Sequence, residues 1–298
     1  MSESFDFPDE SVPPRLEGKT IIVAGGGRGI GKATAVYLAD AGANVVVNRV
    51  SDNPEVVEII RDRGGTAIGH YGDVSELEYT EEMIADTVEE FGRLDGVINF
   101  AGILRDTFLT DMSGEEWDQV IDVHLRGHFS LLRNAARHWT DRAGDDGLET
   151  QRSFVTMTSR QAFGAVGQLN YATAKAGVLG MTWTAAQELA RFNIRVNSLM
   201  PLAFTEMIAS IPEEKRPPGW TREQMPPEKV APVAAYLLSD EAKGINGCIV
   251  RSHGDMMGLI SEPEIERYAF QEGGWTFDDI SDRFRETLGA DISLDRTK

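Results

Sequence analysis

The sequence predicts an α/β chain, a single domain built on a doubly wound parallel sheet of seven strands. Three observations carry this prediction. Short apolar runs alternate with segments of helical apolar spacing across residues 15–258. The first run stops in a glycine cluster that opens directly into the first helical segment. No linker, internal repeat or low-complexity tract interrupts the series. Strands separated by helices need crossover connections. These are right-handed, so the strands lie parallel and helices cover both faces.

The elements follow in order. "KTIIVAGGG" is an apolar run stopped by glycines, and "GKATAVYLADAG" is a helix closed by Gly42. "ANVVVN" reads as a second buried strand, residues 53–63 as a helix, 66–71 as a strand and 77–91 as an amphipathic helix. "GVINFAG" is the fourth strand, and 113–139 one long helix entered at Ser113. "SFVTMTS" is the fifth strand, 168–191 a second long helix, and "IRVNSLM" the sixth strand. "PPEKVAPVAAYLLS" is a helix and "GCIVRS" the seventh strand. Two flanks lie outside the series. Residues 1–14 read as a flexible acidic arm ending at "PP", and residues 259–298 as an extension with one short helix in "DDISDRFRETLG".

Composition narrows the function classes. Cys248 is the only cysteine, so no intrachain disulfide and no cysteine-based zinc site is available, and no metal is expected. The net charge of −19 disfavours binding to nucleic acid or to anionic lipid. No apolar run has the length of a membrane span, and "MSESFDFPDESVPP" lacks the apolar centre of a secretory signal. The expectation is a cytoplasmic protein.

The glycine cluster "AGGGRGIG" lies between the first strand and the first helix and contains Gly25, Gly27, Gly29 and Gly31. Glycines there allow a tight turn and close approach of backbone to a pyrophosphate, and the helix N-terminus supplies unpaired N–H groups. In this setting the loop specifies a Rossmann-type dinucleotide site, with Arg28 and Ile30 inside it. The end of the second strand selects the nucleotide. An acid there would bind the ribose of NAD, but "VVVNRVS" carries Arg49. Arg49 and Arg28 suit a 2′-phosphate, so NADP(H) is favoured, with NAD(H) the alternative. Asp73 and Val74 after the third strand, and Asn99, Ala101 and Gly102 after the fourth, stand at the carboxyl ends of strands, where such sheets bind ligands.

"TMTSRQAFGAVGQLNYATAK" places Tyr171 and Lys175 four residues apart, on one face of a helix. A nearby ammonium stabilises phenolate, and a phenol lowered in this way serves as a general acid or base. An upstream hydroxyl at the end of the fifth strand would hold the substrate oxygen.

At these residues the chain resembles the short-chain dehydrogenase/reductases over about residues 16–255, with "AGGGRGIG", "NFAG", "YATAK" and "RVNSLMP" in the family's order. "NFAGILRDTFLTDMSGEEWDQVIDVHLRGHF" and "GQLNYATAKAG" are similar to the 3-hydroxyacyl-CoA dehydrogenase unit of peroxisomal multifunctional enzyme type 2 and its bacterial relatives. The resemblance implies hydride transfer between nicotinamide and a carbonyl/alcohol pair on a small-molecule substrate. A hydroxyacyl thioester or another bulky apolar alcohol, such as a steroid, fits. Tyr171 would donate the proton, and Lys175 would lower its pKa and hold the nicotinamide ribose. His124 would stand where the family commonly has Asn, as a member of a proton relay or as a packed helix histidine. Pro201 and Thr205 would border the nicotinamide, and 202–222 would be the substrate lid. A homotetramer or dimer is implied.

The chain departs from the family at Ala24, Phe100, His124 and Leu202. Arg49 departs from the NAD-using relatives and weakens the inference to oxidative chemistry. Two alternatives stay open: the resemblance keeps an NAD-dependent 3-hydroxyacyl-CoA dehydrogenase, and the departures keep a nucleotide-binding scaffold or sensor without turnover. The family's serine most often lies thirteen residues before the tyrosine, which here is Thr158, while Ser159 lies twelve before. Either residue can be the family's hydroxyl on spacing alone. Extended backbone sends the two side chains to opposite faces, so only one can serve. Ser159 is favoured, because threonine adds a stiffening methyl beside the substrate carbonyl.

Overall fold

The computed structural model describes residues 5–8, 11–146, 150–209 and 211–290. Among the described residues, β-branched and apolar runs form seven parallel strands: β1 (Thr20–Ala24), β2 (Asn44–Arg49), β3 (Thr66–Tyr71), β4 (Gly96–Asn99), β5 (Arg152–Met157), β6 (Ile194–Leu202) and β7 (Ile249–His253). An eighth, β8 (Met256–Ile260), pairs antiparallel with β7 through a turn at Gly254, and the sheet order is β3-β2-β1-β4-β5-β6-β7-β8. The order reverses direction between β1 and β4, which opens a crevice at the carboxyl ends of those strands. The helices are α1 (Gly29–Asp40), α2 (Glu55–Asp62), α3 (Leu77–Phe91), α4 (Gly114–Ile121), α5 (Gly127–Asp141) and α6 (Ala143–Asp146), followed by α7 (Leu169–Leu189), α8 (Glu206–Ala209), α9 (Ala231–Leu238) and α10 (Phe277–Arg283).

Strand alternation builds two cores. Ile21, Val23, Val45 and Val47 face one side of the sheet and pack with Val36, Ile60 and Leu237 of α1, α2 and α9. Ile22, Val46, Val97 and Phe154 face the other and pack with Met83, Leu131, Trp139 and Ala186 of α3, α5 and α7. Strands buried on both faces read as unbroken apolar runs, which is why β1 and β2 stand out in the sequence.

The helix expected over 113–139 is interrupted. The capping box of Ser113 and Glu116 starts α4, but residues Asp122–Arg126 form a π-helical turn before α5. The N–H of Gly127 reaches back to the carbonyl of Asp122, one residue further than in an α-helix. The widened turn carries His124.

The chain divides into two units, Met1–Ile260 and Ser261–Lys298. The boundary lies two residues beyond the expected 258, because 259 and 260 belong to β8. In the second unit Thr276 and Asp279 form a capping box for α10, and the Arg283 guanidinium lies 5.2 Å over the Trp275 ring. Its Tyr268, Phe270 and Phe277 are exposed.

The arm expected over residues 1–14 makes contacts with the first core where it is described. Phe5 and Phe7 pack against the first core, Phe7 meets the edge of Tyr37 at 5.0 Å, and the Arg63 guanidinium lies 5.9 Å over Phe5. Two aromatics one residue apart cover apolar surface that the end of α1 would otherwise expose. Residues 1–4, 9 and 10 lie outside the described residues.

Candidate active site

The glycine loop is shaped for backbone contact. Gly25 has φ +68°, and a Cβ there would stand 2.4 Å from the amide nitrogen of Ala101. A Cβ on Gly31 would stand 2.2 Å from the carbonyl oxygen of Gly25. Gly29 has φ +53° and faces the methyl of Thr205. Ile30 packs on the first core. α1 starts without a side-chain cap and without an acid in its first turn. Its first N–H groups and the positive end of its dipole are therefore available to an anion. A dinucleotide pyrophosphate fits this cradle, which side chains at Gly25 or Gly31 would fill.

Around the loop, Arg49 ends β2 and its stem lies across Gly27, where a Cβ would come within 3.0 Å of its Cδ and Nε. Arg28 pairs with Glu206 of α8 at 3.0 Å, and both are largely exposed. Asp73 takes the N–H of Ser75 at 2.8 Å. Val74 is buried in the second core with its side chain against Gly127. Asn99 is buried and its Oδ1 accepts from Ala101 N–H at 2.9 Å. Pro201 lies in β6 opposite Ser252 of β7.

Asn48 was not among the expected residues. Its Oδ1 takes the N–H of Gly25 at 3.4 Å, while its Nδ2 donates to Tyr79 Oη at 2.8 Å and to the Gly72 carbonyl at 3.2 Å. With a further contact to the His70 carbonyl at 3.3 Å, it ties the glycine loop to the end of β3. The polar residue ending an otherwise apolar "VVVN" was its only mark in the sequence.

The hydroxyls at 158 and 159 separate as strand alternation requires. Thr158 is 2% exposed and its hydroxyl donates to the Lys175 carbonyl at 3.0 Å, away from the crevice. Its place among the catalytic candidates is corrected on that ground. Ser159 is half-buried, its side chain acts to lower the pKa of the Tyr171 phenol, and its hydroxyl donates to Gln161 Oε1 at 2.5 Å. Thr156 is buried against Thr182 at 2.7 Å.

Lys175 is 2% exposed, its ammonium donates to the Met157 carbonyl at 2.8 Å, and it lies 5.6 Å from the centre of the Tyr171 ring. Burial lowers its pKa to about 7. The phenol moves opposite to the expectation. Burial pushes Tyr171 up, the Ser159 hydrogen bond opposes this, and the charge of Asp106 adds to the rise. The ammonium is not among the groups that move it, since a lysine so buried loses its own charge near neutrality. In the protein alone the Tyr171 phenol therefore keeps its proton.

His124 packs edge-on against the Tyr171 ring at 5.0 Å. Its Nε2 contacts the Ile103 carbonyl at 2.8 Å and the Ile103 amide nitrogen at 3.1 Å, while its Nδ1 is buried without a hydrogen-bond partner among the described residues. A Cβ on Gly102 would stand 2.5 Å from its Cε1. The contacts thus run in series: Gly25 on Ala101, Gly102 on His124, His124 on Tyr171. They bring the phosphate loop and the Tyr171–Lys175 pair to one crevice.

Burial lowers the pKa of His124 well below the usual imidazole value of 6.5 and that of His128 to about 3. A folded-state pKa below the unfolded one gives stability that is present above pH 6.5 and lost as pH falls toward 3. Tm should fall on acidification through this window. The proton uptake on unfolding, read from the pH dependence of Tm, should be smaller by about one proton in His128→Gln. An unchanged slope would show that His128 titrates normally in the folded chain.

Among the described residues no helix is long and apolar enough to cross a membrane. Comparison with known proteins places this architecture. Residues 24–254 match the family described as enoyl-(acyl carrier protein) reductase. A hydroxyacyl-CoA dehydrogenase of Mycobacterium tuberculosis is 38% identical over 93% of this chain and 90% of its own length. The peroxisomal hydratase-dehydrogenase-epimerase of Saccharomyces cerevisiae is 35% identical over 76% of this chain, which spans 25% of that protein. A crystal structure of a short chain dehydrogenase from Mycobacterium avium superposes with TM-score 0.83 at 31% identity, covering 92% of this chain and 96% of the other. The chain is an oxidoreductase of the nicotinamide-using short-chain dehydrogenase/reductase family.

Proposed function

We propose that the protein reduces a carbonyl, or oxidises the matching secondary alcohol, on a 3-hydroxyacyl thioester or similarly bulky apolar substrate, with NADP(H). The observation that carries this reading is the convergence of the glycine loop, Ser159, Tyr171 and Lys175 on one crevice.

The nicotinamide, when bound, supplies or accepts the hydride. The chain's own residues do the rest. Gly25, Gly29, Gly31 and the N-terminus of α1 hold the pyrophosphate. Ser159 donates to the substrate oxygen. Tyr171 delivers its proton to that oxygen as the alcohol forms. Lys175, poised near neutrality by burial, takes up or yields a proton behind the phenol, and the bare Nδ1 of His124 accepts from a water linking the two.

Two surfaces favour a large apolar substrate. Phe163, Val166 and Leu169 are exposed on the segment between Ser159 and Tyr171. Phe108 and Leu109 are exposed on the loop that joins this segment through the Thr107–Gln168 bridge. The dehydrogenase named among the relatives acts on hydroxyacyl-CoA, which has such an apolar tail. The lid is anchored at its far end, where Arg222 grips the buried Glu228 with two bonds of 2.6 Å. The exposed Phe129 of α5 and Met257 and Leu259 of β8 favour assembly into a dimer or tetramer.

Arg49 and Arg28 favour the 2′-phosphate. The exposed Arg28–Glu206 pair is worth at most about 1 kcal/mol, so a phosphate displaces Glu206 readily. NADPH should bind about 10-fold or more tightly than NADH, and Arg49→Asp should erase or reverse the preference. Fluorescence titration with both nucleotides tests this. Equal or tighter NADH binding by the unmodified protein would instead support the NAD-dependent 3-hydroxyacyl-CoA dehydrogenase.

A further inference from the structure

We infer that His128 is a positioning residue for Tyr171 and Lys175, one imidazole tying the π-turn that carries His124 to the end of β5 that anchors Lys175. The inference rests on the reaction proposed above.

On β5 the N–H of Thr158 points to β6, where it meets the Leu199 carbonyl at 2.9 Å. Alternation sends the N–H of Met157 the other way, toward β4. But β4 ends at Asn99, its pairing with β5 ends at Ile98 with Val155, and the chain then turns toward the glycine loop. The Met157 amide would be buried without a partner. His128, fully buried on α5, supplies one: its Nε2 accepts from Met157 N–H at 2.9 Å.

That bond fixes the ring. A nitrogen accepting from an amide carries no proton, so the neutral imidazole holds its proton on Nδ1. Nδ1–H donates to the His124 carbonyl at 2.5 Å. Asn99 Nδ2 lies 3.2 Å from the same nitrogen, but it is itself a donor, because Asn99 Oδ1 is taken by Ala101 N–H. Both ring nitrogens are thus committed to backbone, and His128 has none left to relay a proton. The groups facing it are Asn99, His124 and Lys175, the last of which disfavours a cationic ring. Its low pKa agrees with a ring that stays neutral.

The two backbone groups it holds are those that place the reacting side chains. The Met157 carbonyl carries the Lys175 ammonium at 2.8 Å. The π-turn presses His124 on the Tyr171 ring. Losing the imidazole would release both supports and let phenol and ammonium drift apart, with the nucleotide cradle untouched.

The test uses the full chain with NADPH and acetoacetyl-CoA as probes, with Tyr171→Phe as the control for the reaction itself. His128→Ala should lower kcat by about 10- to 100-fold, as small misplacements of reacting groups do, and should move the pH profile of kcat. Its Kd for NADPH should stay within about 2-fold, since no glycine-loop contact is lost. His128→Asn keeps the donor to the His124 carbonyl, and His128→Gln keeps the acceptor for Met157 N–H, so each should recover part of kcat. Nitrogen-15 spectra of the imidazole should show the proton on Nδ1. If His128→Ala lowers only Tm and leaves kcat and its pH profile unchanged, the inference is overturned. If that variant does not fold, Asn and Gln variants that both match the parent in kcat overturn it equally. If the parent reduces no probe, or Tyr171→Phe matches it, the proposed reaction fails. The spectrum then decides the geometry separately, and a proton on Nε2 contradicts it.

Discussion

Tyr171→Phe is expected to lower turnover by on the order of 10²–10⁴-fold, the usual worth of a positioned acid, while NADPH affinity is nearly unchanged. The substitution removes one oxygen from a ring otherwise held by His124 and by the helix, so the fold has little reason to respond. Ser159→Ala should cost on the order of 100-fold in turnover, as loss of one aimed donor does. Thr158→Ala tests the assignment from the other side. Its hydroxyl serves the Lys175 carbonyl, so its loss should cost about 1 kcal/mol of stability and little turnover. Kinetics and thermal unfolding of the three variants separate these roles. A large loss of turnover in Thr158→Ala with none in Ser159→Ala would reverse them.

Gly31→Ala and Gly25→Ala should be the most damaging substitutions outside the reacting groups. The new methyl would stand 2.2 Å from the Gly25 carbonyl oxygen in one and 2.4 Å from the Ala101 amide nitrogen in the other. Both obstacles are backbone, which cannot rotate aside, and Gly25 carries the additional cost of a left-handed φ. Each should destabilise by about 2–4 kcal/mol and abolish nucleotide binding. Gly114→Ala is the matched control, since a methyl there would meet nothing within 4 Å. Urea unfolding and nucleotide titration check all three, and normal NADPH binding by Gly31→Ala would show that the loop is not the cradle described.

What the sequence made legible, and what it hid, follows from which forces leave a pattern. Ile21 and Val23 face one core and Ile22 the other, so burial on both sides wrote itself as an unbroken run and the parallel strands could be read. β8 could not, because Met257 and Leu259 of this edge strand are exposed and show no inward alternation. The π-turn left no mark, since one extra residue in a helical turn needs no special residue type. Alternation showed that only one of Ser159 and Thr158 could face the crevice, but not which one. The direction of the Tyr171 pKa was not legible either, because burial raises it and burial is a property of the fold. The pair His124 and His128, four residues apart on one face, was visible in "VHLRGH", but the unpaired Met157 amide that gives His128 its partner exists only once β4 ends.

The central claim is that this crevice transfers a hydride between NADP(H) and a carbonyl carbon, with Tyr171 supplying the proton. The most direct measurement is the fate of deuterium from NADPH labelled at nicotinamide C4, incubated with the chain and acetoacetyl-CoA and followed by mass spectrometry of the thioester. The account predicts 3-hydroxybutyryl-CoA carrying one deuterium at C3 with the parent chain, and almost none with Tyr171→Phe. Tight NADPH binding with no labelled alcohol from this or any carbonyl in a wide panel would contradict it, and would leave a nucleotide-binding scaffold in place of an enzyme.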